Sequence, residues 1–146
     1  MRMPTTPAEL EAAIRQMRDE VTMHGARELL TPSDVDAALK NQKGTALVFI
    51  NSVCGCAARG ARPGLSEALK AAKAKPQKLY TVFAGQEKDA TAQVRSYFPD
   101  IPPSSPSAAL FKDGKVVAFV PRSHIEGRGA DMVADEFRQI FEQYCS

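Results

Sequence analysis

The stretch Thr45-Ala46-Leu47-Val48-Phe49-Ile50-Asn51-Ser52-Val53-Cys54-Gly55-Cys56 decides the fold. Its first six residues form a continuous β-rich apolar run, the pattern of a central strand covered on both faces. That strand delivers the chain into Val53-Cys54-Gly55-Cys56. The residues after it, Ala57 to Lys75, are rich in Ala and Lys and read as helix. Gly60 and Pro63-Gly64 interrupt the helical pattern, which predicts a kink or a division into a short first piece and a longer second.

Outward from this core, Thr6-Pro7-Ala8-Glu9 is a capping box with Pro at the first helical position, and Leu10, Ala13, Ile14, Met17 and Val21 follow at helical spacing. Thr31-Pro32-Ser33-Asp34 opens a short helix with Val35, Ala38 and Leu39 on one face, after a weak strand at Ala26 to Leu30 and before a stop at Lys43-Gly44. On the carboxyl side, Lys78 to Ala84 reads as a strand. Lys88 to Phe98 reads as a helix, and Pro99 to Pro106 as an irregular, proline-dense loop. Ser107 to Lys112 and Lys115 to Val120 flank Asp113-Gly114, a strong hairpin signal. Val133, Phe137, Ile140, Phe141 and Tyr144 define a last helix that docks by its apolar stripe. This order predicts one α/β domain over residues 1–146, with a central mixed sheet closed by a C-terminal hairpin and helices on both faces. Within that class, a Cys motif between a buried strand and a helix points to the thioredoxin-like fold.

Composition agrees and narrows the function. The 146 residues are 44% hydrophobic and 25% charged, an ordinary globular balance. A chain of this size buries roughly 70% of its unfolded surface, enough for a core without disulfide or metal staples. Basic residues exceed acidic ones by three over residues 1–75 and fall one short over 76–146, for a net charge of +2. With no charge run or aromatic ladder, no nucleic-acid partner is expected. The opening MRMPTTPAEL lacks an apolar core segment and no stretch of about 18 apolar residues occurs, so neither a signal peptide nor a membrane partner is expected. A cytoplasmic location follows. Thiols stay reduced there, so close-set cysteines are catalytic, redox-sensing or metal-binding before they are structural.

The chemistry of the pair follows from its place. Cys54, at a strand end with a helix starting within a residue or two, faces unsatisfied N–H groups and the positive end of the helix dipole, which favours a thiolate. Cys56 is the natural resolving thiol. Residues two apart have α-carbons roughly 5.5–7 Å apart, at the upper edge of the disulfide range, so a Cys54–Cys56 bridge is expected to be strained and oxidising. Gly55 lets the backbone take the dihedrals that closure requires. Arg59 and Arg62 are close enough in sequence to add positive potential. A metal site is the competing reading, since Cys-x-Cys chelates Zn²⁺ or a cluster iron, but only Cys145, His24 and His124 remain as soft donors.

Asn51-Ser52-Val53-Cys54-Gly55-Cys56-Ala57-Ala58, followed by Ala61-Arg62-Pro63-Gly64, resembles the bacilliredoxins, thioredoxin-like proteins with a Cys-Gly-Cys motif. Phe83-Ala84-Gly85-Gln86 with Glu87 and Asp89, Pro102-Pro103-Ser104-Ser105-Pro106-Ser107, and Ile125-Glu126-Gly127 agree with it, from about Pro7 to Cys145. The resemblance implies a thiol–disulfide oxidoreductase that acts on mixed disulfides between protein cysteines and bacillithiol or a similar low-molecular-weight thiol, and that also isomerises disulfides. It implies no bound cofactor, the small thiol serving as co-substrate. The partners it implies are thiolated or disulfide-bonded proteins and a reductase or small thiol. Pro106 resembles the cis-proline that faces the cysteines in thioredoxin-like folds, with the Ser105 backbone pairing an extended substrate. His124 and Glu126 are candidates for proton exchange, and Cys145 resembles a third cysteine of some members. Thioredoxin itself is matched less well: there is no Trp, the cysteines lack the two-residue insertion, and Val48 stands where thioredoxins bury an aspartate. A non-enzymatic metal-binding or scaffold protein on the same fold stays open.

Overall fold

The computed structural model describes residues 5–146. Met1–Pro4, the first part of the amino-terminal stretch read above, lie outside the described residues. The elements run α1 (Pro7–Thr22), β1 (Arg27–Glu28), α2 (Pro32–Leu39), β2 (Thr45–Asn51), a π-helical segment (Ala57–Ala61) continuing into α3 (Arg62–Ala71), β3 (Lys78–Phe83), α4 (Lys88–Arg95), β4 (Ser107–Lys112), β5 (Lys115–Val120), a 3₁₀ turn (Arg122–His124) and α5 (Ala130–Tyr144). This is the expected order. Two helices, α3 and α4, end earlier than the periodicity suggests, at Ala71 and Arg95 rather than Lys75 and Phe98.

The sheet has the order β1-β3-β2-β4-β5. β2 pairs parallel with β3 and antiparallel with β4, so it is the central strand, and every one of its residues is buried. Its pleat sends Leu47 and Phe49 to one core and Ala46, Val48 and Ile50 to the other. The first core is closed by Val21 of α1, Leu65 and Ala68 of α3, and Val133, Phe137 and Phe141 of α5. The second is closed by Val35 and Leu39 of α2 and Ala90 and Val94 of α4. Helices therefore cover both faces. Leu10, placed by periodicity on the buried stripe of α1, is instead 52% exposed, because α1 docks through Ile14 and Val21.

Local chemistry explains the boundaries. The Thr6 hydroxyl accepts from the Glu9 N–H, and Thr31 with Asp34 forms a complete capping box. The hairpin turns at Asp113 (φ 51°) and Gly114 (φ 84°), the left-handed pair that a two-residue turn requires. Pro63 has no N–H and cannot close a normal helical turn, and the backbone widens just before it: the Arg62 N–H reaches the Ala57 carbonyl five residues back. Gly60 and Gly64 are contact points between helices. A Cβ at Gly64 would lie 2.6 Å from Val133 Cγ1, and one at Gly60 would lie 3.3 Å from Ile125 Cγ2. Among the described residues, no helix is long and apolar enough to cross a membrane.

Candidate active site

β2 ends at Asn51 and helical backbone begins at Gly55, with Cys54 at the junction. The Cys54 carbonyl accepts from the N–H groups of Ala57 and Ala58 at 3.1 and 3.2 Å, so Cys54 caps the helix. Its thiol therefore stands at the end where N–H groups lack carbonyl partners. The Cys56 sulfur is 3.5 Å away, and both thiols are free.

The two thiols ionise differently. Burial opposes the Cys54 thiolate, but hydrogen bonds from the Ser52 hydroxyl, the Ala57 N–H and the Cys56 thiol and N–H outweigh it, and Cys54 lies below an ordinary thiol. Burial and the adjacent Cys54 sulfur push Cys56 above the ordinary value, against the pull of the Arg122 guanidinium. The first proton lost from the pair thus leaves the negative charge on Cys54.

A buried frame holds the junction. Asn51 Oδ1 accepts from the Ser52 N–H and from Arg62 Nη1, both at 2.9 Å, while Asn51 Nδ2 donates to the Met17 carbonyl at 3.2 Å. Arg62 Nη1 also donates to the Ser52 carbonyl at 2.8 Å, and Nε meets Glu20 at 3.2 Å. Arg62 is only 3% exposed. The expectation that it adds positive potential beside the sulfurs is corrected: α3 turns it under the loop, where its donors are taken up by Asn51, Ser52 and Glu20.

The Ser105–Pro106 peptide bond is cis. β4 begins at Ser107 opposite Ile50, so Pro106 lies at the same end of the sheet as the cysteines. Arg122 joins the two segments. Its N–H donates to the Ser104 hydroxyl and its Nη1 to the Ser105 carbonyl, each at 3.3 Å. The sulfurs of Cys56 and Cys54, followed by Glu126, raise the pKa of its guanidinium.

A cavity of about 560 Å³ opens beside the sulfurs, lined by Cys54, Gly55, Cys56 and Arg59 on one side and by Arg122 and the Ile125–Gly129 loop on the other. Glu126 belongs to this wall. His124 does not: its Nδ1 lies 2.7 Å from Glu136 Oε2, which ties the ring to α5. Composition and motif spacing alone did not single out Ser52, Asn51, Arg122 or Arg128. A signal for Arg122 was present, because a hairpin turning at Asp113-Gly114 runs β5 back along β4, and with the one-residue register shift at Leu110/Phe111 it carries Arg122 to the Ser105–Pro106 end of β4. Val53, 55% exposed beside Cys54, offers an apolar contact at the rim.

The remaining soft donors lie elsewhere. Cys145 packs against the first core, close to Thr45 and Lys112 at the opposite end of β2, and burial pushes its thiol up. His24 lines a separate cavity with Lys70 and Gln77. Among the described residues, no three of His, Cys, Asp and Glu are grouped to hold a metal ion.

Comparison with known proteins agrees with this geometry. Residues 10–145 match the family model described as disulphide isomerase. A bacilliredoxin of Geobacillus kaustophilus is 48% identical over 132 residues, 90% of this chain and 91% of the relative. A bacilliredoxin of Bacillus cereus is 50% identical over 129 residues, 88% and 90% of the two chains. Among solved structures, a thioredoxin mutant from Halobacterium salinarum superposes with a TM-score of 0.57 at 15% identity, over 83% of this chain and 91% of that one. Fasciola hepatica thioredoxin superposes at 0.53 and 19% identity, over 81% and 98%. The fold is thioredoxin-like, the relatives make the protein a thiol–disulfide oxidoreductase, and the chain is a member of the bacilliredoxin family.

Proposed function

We propose that the protein reduces mixed disulfides between protein cysteines and bacillithiol or a similar low-molecular-weight thiol, with Cys54 as nucleophile and Cys56 as resolving thiol. The observation that carries this reading is the sulfur pair: 3.5 Å apart, with Cys54 more acidic and Cys56 less acidic than an ordinary thiol. The Cys54 thiolate attacks one sulfur of the mixed disulfide. A new S–S bond forms to Cys54, the old one breaks, and the other partner leaves as a thiolate. Cys56 then attacks the Cys54 sulfur, which releases the second partner and closes a Cys54–Cys56 disulfide. Two electrons pass from the dithiol to the substrate, and its two protons go to the departing thiolates. A reductase or a small thiol returns the protein to its dithiol form, so the cysteine pair is itself the redox group and no bound cofactor takes part.

Supporting roles follow from position. Ser105 and Pro106 form the surface on which an extended protein substrate lies, Gly55 leaves the backbone between the sulfurs free to close, and Glu126 is the carboxylate within reach of departing protons. A strained Cys54–Cys56 bridge also suits disulfide isomerisation, in which Cys54 enters and leaves without net electron transfer. These reactions belong in the reducing cytoplasm. The reading is tested by mixing the reduced protein with a bacillithiolated or glutathionylated test protein and following adduct loss by mass spectrometry. Wild type is expected to remove the adduct and Cys54→Ser to leave it; retention by both overturns the reading.

A further inference from the structure

The cavity beside the sulfurs has an unbalanced wall. Arg59, Arg122 and Arg128 all line it, against the single carboxylate of Glu126. Arg122 meets Glu126 only at 3.5 Å, and Arg128 reaches Glu136 through one nitrogen, also at 3.5 Å. Arg59 makes no hydrogen bond or ion pair among the described residues. Its guanidinium folds back over Gly55: a Cβ built there would lie 2.7 Å from Arg59 Nη2. The glycine between the cysteines therefore makes room for a cation as well as for backbone closure. The far wall adds Gly129, where α5 begins without a side-chain cap, so its first N–H groups bring positive partial charge to the same space.

Arginines with free donors around one cavity suit a planar anion. The guanidinium fork matches a carboxylate with two parallel hydrogen bonds, and a cavity wall screens such contacts less than open water does. We propose that this cavity binds the carboxylate groups of the small-thiol half of the mixed disulfide, with Arg59 and Arg128 as the specificity-determining residues. The enzyme would thereby favour acid-bearing thiols over neutral or cationic ones. The inference rests on the oxidoreductase reading above and adds the class of small thiol that it accepts.

The test uses one single-cysteine peptide carrying mercaptosuccinate, mercaptoethanol or cysteamine as its mixed disulfide, giving a dianionic, a neutral and a cationic adduct. The rate of removal by the full-length protein is divided by that of dithiothreitol on the same adduct, which cancels intrinsic disulfide reactivity. At low salt the mercaptosuccinate adduct is expected to react about tenfold faster than the cysteamine adduct, the size of effect that a charge-lined cleft produces, with the ratio shrinking as salt is added. In Arg59→Gln/Arg128→Gln the ratio is expected to approach one, and Arg59→Lys/Arg128→Lys, which keeps the charge but not the two-pronged contact, is expected to restore only part of it. A ratio near one in wild type, or one unchanged by the Gln pair, overturns the anion site while leaving the oxidoreductase reading intact. Failure of wild type to remove any adduct overturns both.

Discussion

Arg122 Nη1 donates to the Ser105 carbonyl oxygen at 3.3 Å, while its charge faces the sulfurs of Cys56 and Cys54. One side chain thus links the cis-proline loop to the reacting atoms. The contact is specific in geometry but exposed to water, so its energetic effect is screened. Replacing Arg122 by Gln removes the cation that holds Cys56 down. The Cys56 thiol is expected to become less acidic and the resolving step to slow by about two- to fivefold, as befits a solvent-screened charge contact. Stopped-flow measurement of small-thiol release from a preformed Cys54 adduct checks this, and an unchanged release rate would count against the link.

The opposed ionisation of the pair predicts its labelling. With Cys54 held below an ordinary thiol and Cys56 above it, iodoacetamide is expected to modify Cys54 first as pH is raised from about 5 to 8, since only the thiolate reacts. Cys54→Ser removes a hydrogen-bonding and charged neighbour from Cys56, so the remaining thiol is expected to titrate closer to an ordinary cysteine. Rate-against-pH curves for the two single Ser variants decide it; faster labelling of Cys56 near pH 6 reverses the assignment.

The order of the two thiols also predicts which variant traps an intermediate. Cys56→Ser leaves the Cys54 adduct waiting for an external thiol and is expected to accumulate it, whereas Cys54→Ser cannot form it. Cys145 is no substitute, because it sits beside Thr45, at the end of β2 away from the motif. Non-reducing mass spectrometry after reaction with a glutathionylated protein reads the result. Equal adducts on both variants would mean interchangeable sulfurs.

Arg62 connects stability to the site. Arg62→Met removes donors from Asn51 Oδ1 and the Ser52 carbonyl and strips Glu20 of its partner. The expected cost is about 2–4 kcal/mol of unfolding free energy, since hydrogen bonds from a charged donor to buried acceptors are lost. Because Ser52 also stabilises the Cys54 thiolate, the Cys54 labelling curve is expected to move to higher pH. Urea unfolding and labelling together check the two effects. Loss of stability with an unmoved labelling curve would confine Arg62 to a purely structural role.

What the sequence determined by itself was local. The apolar run at Thr45–Ile50 became the buried central strand, Asp113-Gly114 became the hairpin turn, and Cys54 fell at the helix cap. Each of these depends on periodicity or turn chemistry within a few residues, and those forces act the same way before and after the chain folds. The tertiary structure decided the partners. Arg59 and Arg62 read alike in sequence, yet one turn of helix sends the first over Gly55 and the second beneath Ser52. Gly60 and Gly64 read as helix breakers until α5 packs against them, and His124 read as a site residue until Glu136 drew it onto α5. The cation that faces Cys56 comes from Arg122, brought there by the hairpin and the loop beyond it. The strength of a charge–thiol contact depends on distance and solvent exposure, and folding alone sets both for residues so far apart in the chain.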